Sequence, residues 1–105
     1  MAWRKVASKD DLKSDEGFPV QIDGCRIGLY LVDGEVFAIG DNCPHQAGVL
    51  LSEGWFEEGV IECPMHQSRF DVRTGNCLNP PALEDVPRFE IRVEGGDIFV
   101  DEPAG

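Results

Sequence analysis

Arg26-Ile27-Gly28-Leu29-Tyr30-Leu31-Val32-Asp33-Gly34-Glu35-Val36-Phe37-Ala38-Ile39 reads as two strands around a two-residue turn. Asp-Gly between apolar arms is a strong hairpin signal, because glycine accepts the positive φ that the turn demands. A second such pair, Asp23-Gly24, lies upstream and follows the β-like run Phe18-Pro19-Val20-Gln21-Ile22. The three runs predict a three-stranded antiparallel meander. Near the other end, Arg88-Phe89-Glu90-Ile91-Arg92-Val93 alternates polar and apolar residues, Gly95-Gly96 turns the chain, and Asp97-Ile98-Phe99-Val100-Asp101 returns. That pattern predicts a hairpin with one buried face. No segment keeps a helical period over three turns; Ser8-Lys9-Asp10-Asp11-Leu12 reads as one turn capped by Ser8. Short strands at regular spacing predict an all-β antiparallel sandwich or barrel.

The 105 residues suit a single domain, read here as spanning 1–105, with no internal repeat or linker and a frayed tail from Glu102. Nine basic residues face twenty acidic ones, for a formal net charge of −11. Nucleic acid and anionic membrane surfaces are poor partners for such a chain, since both need a basic footprint. A basic protein surface is a reasonable partner, and plain solubility explains the acidity equally well. The N-terminus Met1-Ala2-Trp3-Arg4-Lys5 lacks the apolar run of a signal peptide, and no stretch approaches the roughly 20 apolar residues of a membrane helix. A cytoplasmic, reducing location is expected, where four cysteines suggest metal ligands or buried thiols before disulfides.

The middle of the chain, from about residue 40 to 81, is rich in Gly, Pro, Cys and His, and contains both histidines. A long irregular segment inside a small domain is usually functional. Two motifs stand out within it, Cys43-Pro44-His45 and Cys63-Pro64-Met65-His66, with 17 residues between His45 and Cys63. Each offers one sulfur and one imidazole, a mixture that suits zinc or an iron–sulfur site. Each begins Cys-Pro, and proline stiffens the loop at the ligand. The C-x-H spacing fits poorly to a structural zinc module, where Cys-x2-4-Cys is usual.

The pattern C-x-H-x17-C-x2-H resembles the signature of Rieske ferredoxins. Asp41-Asn42, Leu51-Ser52-Glu53-Gly54 and Phe70-Asp71-Val72-Arg73-Thr74-Gly75 extend the resemblance, which covers essentially the whole chain. It implies a Rieske-like antiparallel fold with two cluster-binding loops and one 2Fe-2S cluster. Cys43 and Cys63 would bind the inner iron, and His45 and His66 the outer iron near the surface. It also implies a one-electron carrier between a ferredoxin reductase and a terminal, aromatic ring-hydroxylating oxygenase. A small subunit resembling that of assimilatory nitrite reductase is the other role such a chain could fill. An oxygenase needs a further iron on two histidines and a carboxylate; both histidines here are already assigned, so no catalytic residues are expected.

Respiratory Rieske proteins carry a cysteine in each loop, joined as a disulfide, and a tyrosine against a ligand sulfur. Gly48, Met65 and Phe70 occupy those positions, while Ser68 matches the serine that bonds a bridging sulfide. Fewer hydrogen bonds to sulfur stabilise the reduced cluster less, so the midpoint is expected toward the low end of about −150 to +300 mV. Cys25 and Cys77 read as buried small hydrophobes, with a Cys25–Cys77 disulfide disfavoured. Trp55-Phe56 reads either as a docking patch or as packing beneath the loops. Pro80-Pro81 reads as a third covering loop or a connector, and Gln46 and Gln67 as partner contacts or solvated surface.

Overall fold

The computed structural model describes residues 3–13, 16–22, 24–42, 49–64, 68–78 and 85–101. Its strands in chain order are β1 (Trp3–Ser8), β2 (Phe18–Ile22), β3 (Cys25–Val32), β4 (Glu35–Gly40), β5 (Trp55–Glu57), β6 (Val60–Glu62), β7 (Arg69–Asp71), β8 (Arg88–Phe89), β9 (Ile91–Glu94) and β10 (Asp97–Asp101). Single 3-10 turns occupy Lys9–Asp11 and Leu51–Glu53. The strands form three antiparallel sheets, ordered β1-β10-β9, β2-β3-β4-β8 and β5-β6-β7. The all-β antiparallel expectation holds.

The predicted meander is β2-β3-β4. Asp33 and Gly34 adopt φ of 51° and 83°, the paired positive values of a type I′ turn, and Val32 faces Glu35 across it. β3 is apolar almost throughout because both of its faces are covered. Ile27 and Leu29 enter one core with Ala7, Ile22, Val36, Ala38, Ile98 and Val100. Tyr30 and Val32 enter a second core with Ile39, Leu51, Phe56, Ile61, Cys63, Phe70 and Val72. The meander is thus a shared wall between the β1-β10-β9 sheet and the smaller β5-β6-β7 sheet.

The predicted C-terminal hairpin is corrected in two respects. The run breaks at Glu90: β8 pairs with β4, whereas β9 pairs with β10 in the other sheet. Only β10 has a fully buried alternation, at Ile98 and Val100; Val93 on β9 is 40% exposed. β1 was not legible as a strand; it pairs with β10 through a register shift between Lys5 and Ala7. The turn after it is present with Ser8 at its N-cap in a capping box, where Asp11 accepts the Ser8 amide at 3.0 Å. The Ser8 hydroxyl also donates to the Gly96 carbonyl oxygen at 3.4 Å. The middle segment is more regular than its composition suggested, since β5, β6 and β7 make a three-stranded sheet there.

Candidate metal centre

Of the four predicted ligands, Cys63 lies among the described residues. Cys43, His45 and His66 lie outside them, as do the positions read at Gln46, Gly48, Met65, Gln67, Pro80 and Pro81. Cys63 directly follows β6 and is completely buried. Its amide donates to the Ser68 carbonyl oxygen at 2.7 Å, so the chain departs from β6 and returns to β7 at one hydrogen-bonded point. That closure brackets His66 in the sequence.

The first motif is bracketed in the same manner. Asn42 and Leu50 form an antiparallel bridge, and the Leu51 amide donates to the Asp41 carbonyl oxygen at 2.7 Å. The Asp41 side chain adds a second clasp, accepting the Ser52 amide at 2.7 Å and the Ser52 hydroxyl at 2.8 Å. Asp41 has no exposed surface. Burial holds its carboxyl above the usual range, opposed by the Ser52 hydrogen bonds and by the Arg26 charge. Tyr30 is buried beside it; desolvation, then the Asp41 charge, pushes the phenol far above its ordinary value. Gly28 keeps room for both groups, since a Cβ there would stand 3.0 Å from the Tyr30 hydroxyl and 3.2 Å from Asp41 Oδ1.

The two brackets sit side by side. Val49, Leu51 and Cys63 share one core. A Cβ on Gly54, three residues past Leu51, would run into the Glu62 carbonyl oxygen and stand 3.1 Å from Pro64 Cδ. Two short segments, each tied at both ends, therefore start from adjacent points at one end of the β5-β6-β7 sheet. Around Cys63 the core is apolar, where a lone thiolate would be costly and a thiolate bonded to a metal cation is stabilised. Two thiolates and two imidazoles on such tethers fit a small iron–sulfur cluster.

Other readings resolve individually. Trp55 and Phe56 divide the roles proposed for the pair: Trp55 is 67% exposed and Phe56 is buried against Tyr30, with ring centroids 4.8 Å apart. Cys25 and Cys77 are half-buried rather than fully buried, and no disulfide joins them. Each packs against the edge of a different core, which separates the two sulfurs. Phe70 is fully buried in the core that holds Cys63, and Ser68 is fully buried as well. The Asp41–Ser52 clasp joins two stretches that flank the first motif in the sequence, and neither residue type by itself points to the pairing.

These features define a small β protein in which the described residues flanking its two sulfur–imidazole motifs are tied together pairwise at neighbouring points of the fold. The family model for the Rieske [2Fe-2S] domain matches residues 2–90, and the chain belongs to that family. The biphenyl dioxygenase ferredoxin subunit of Pseudomonas sp. strain KKS102 is 37% identical over 101 residues, covering 96% of this chain and 93% of the relative. The solved ferredoxin of carbazole 1,9a-dioxygenase from Nocardioides aromaticivorans IC177 superposes with a TM-score of 0.90 at 32% identity, covering 95% of this chain and 97% of that one. A solved complex of reduced oxygenase and oxidized ferredoxin in carbazole 1,9a-dioxygenase matches with a TM-score of 0.87 at 32% identity, covering 93% and 91%. An NADH-dependent nitrite reductase small subunit from Mycobacterium tuberculosis is less similar, at 27% identity and a TM-score of 0.85 over 99% of this chain and 97% of that one. Family membership gives the chain one Rieske-type 2Fe-2S cluster. Among the described residues no helix is long and apolar enough to cross a membrane.

Proposed function

We propose that Cys43 and Cys63 bind one iron of the cluster and His45 and His66 the other, within a single domain whose cluster-binding part is about residues 40–81. The chain then carries one electron at a time, in the cytoplasm, from a ferredoxin reductase to a terminal aromatic ring-hydroxylating oxygenase. The observation that carries this reading is the side-by-side closure of the two motif-bearing segments, Asn42 to Leu50 and Cys63 to Ser68.

The bound cluster supplies a one-electron couple, less negative than a four-thiolate cluster because two ligands are neutral. The chain's own residues set its surroundings. Leu51, Phe56, Ile61 and Phe70 keep water from the Cys63 sulfur. The clasp between Asp41 and Ser52 ties together the residues on either side of the first segment. The carrier role is favoured over a nitrite reductase subunit by the higher identity to dioxygenase ferredoxins.

Purified, anaerobically reconstituted protein is expected to hold two irons and two acid-labile sulfides per chain and to give a Rieske EPR signal when reduced. Replacing His45 or His66 by Ala should abolish or reshape that signal. A protein without labile sulfide, or a signal indifferent to both histidines, overturns the assignment.

A further inference from the structure

The outer face of the β5-β6-β7 sheet has no cover among the described residues. Phe56, Ile61 and Phe70 lie opposite one another in register and point into the core. The neighbouring register row, Trp55–Glu62–Arg69, therefore points outward. Leu78 extends it, because its amide donates to the Arg69 carbonyl oxygen at 2.7 Å. Trp55 is 67% and Leu78 51% exposed. Between these two apolar ends Arg69 Nε pairs with Glu62 Oε1 at 3.0 Å. An open groove of about 510 Å³ runs along the row, and Glu57, Glu58 and Val60 also line it.

We propose that this face is a docking surface for a basic, partly apolar patch of the terminal oxygenase. The proposal rests on the electron-carrier reading above. Position argues for a redox partner: Glu62 immediately precedes Cys63, Arg69 immediately follows Ser68, and Trp55 follows Gly54, the residue packed against the second loop. A protein seated on this row lies against the strand ends that lead into and out of the second motif. Charge argues for a basic surface. Glu57 and Glu58 form no ion pair among the described residues, and the chain as a whole carries −11. The same charge opposes a second copy of this chain as occupant. A guanidinium over Trp55 would gain ring attraction and Glu57 or Glu58 as counter-charge. A similar ferredoxin has been solved in complex with its oxygenase, which makes the oxygenase the occupant proposed here, with the reductase as the outcome the test separates.

The test follows electron transfer from reduced holoprotein to the oxygenase component of the biphenyl dioxygenase system, and separately reduction of the holoprotein by that system's reductase. Trp55→Ala should raise the KM for this protein with the oxygenase about tenfold, the scale of a central aromatic anchor, and Trp55→Phe should recover part of the loss. Glu57→Lys with Glu58→Lys should raise the same KM and flatten its dependence on ionic strength. The midpoint potential and EPR signal should stay unmoved in all three, which separates docking from damage to the cluster. A Trp55→Ala KM within twofold of the parent overturns the proposal. So does a loss confined to the reductase side, which makes the reductase the occupant. A parent protein that is reduced but passes no electron to the oxygenase overturns the carrier reading itself, and the docking proposal with it.

Discussion

Gly54 shows how much of the site depends on a single missing atom. Its backbone passes so close to Glu62 and Pro64 that a methyl group has no space, and the obstacle is main chain rather than a flexible side chain. Gly54→Ala should therefore cost about 2 kcal/mol or more in denaturant unfolding and lower the iron retained per chain, because the two motif segments can no longer sit together. Phe70 tests a different dependence. It is fully buried in the core that holds Cys63, and its ring offers no hydroxyl. Phe70→Tyr should raise the midpoint potential: one added hydrogen bond to a ligand sulfur, at about 1 kcal/mol, corresponds to roughly 40 mV for one electron. A redox titration with no shift would reject the hydrogen-bond argument. At this scale the sequence was unevenly informative. Cys63 could be singled out as a proposed ligand because sulfur and imidazole chemistry resides in residue identity and spacing. The Asp41–Ser52 clasp could not, because its function depends on a fold that brings residues 41 and 52 together, and neither side chain announces that partner.

Turn chemistry divides the elements into those that could be read and those that could not. Asp33-Gly34 and Gly95-Gly96 follow the residue preferences of their turns, and both hairpins were predicted. The β5–β6 turn breaks the preference: Glu58 holds φ at 50° where asparagine, aspartate or glycine is favoured, with Gly59 at 80°. That mismatch, together with strands of three residues, explains why the β5-β6-β7 sheet read as irregular. Glu58→Asn should relieve the strain and stabilise the protein by about 0.5 kcal/mol, measured by chemical denaturation of the holoprotein. No gain would mean that the glutamate side chain offsets the strain through contacts of its own. The break at Glu90 was unreadable for another reason. Alternation of polar and apolar residues continues through Arg88–Val93, and only the positions of β4 and β10 decide that the chain changes sheets there.

The two cores meet across the meander yet depend on the cofactor unequally. The core of Ile27, Leu29, Ala38, Ile98 and Val100 is closed by long strand pairings, β3 with β4 and β1 with β10. Its counterpart around Leu51, Phe56, Ile61 and Phe70 is closed by three-residue strands and by segments whose ends meet at the proposed ligands. Short strands bury little area, and a small domain that holds a metal centre typically draws folding free energy from it. If the proposed ligands hold the cluster, its binding energy stabilises the second core more than the first. Stripping iron and sulfide should produce a protein that opens by region rather than all at once. Amides of β3, β4 and β10 should keep most of their hydrogen-exchange protection. Those of residues 50–63 and 68–78 should exchange at least about thirtyfold faster, equivalent to roughly 2 kcal/mol of lost local stability. Uniform loss of protection across both regions would show instead that the two cores form one cooperative unit, with the meander transmitting the loss of the cluster to the whole molecule.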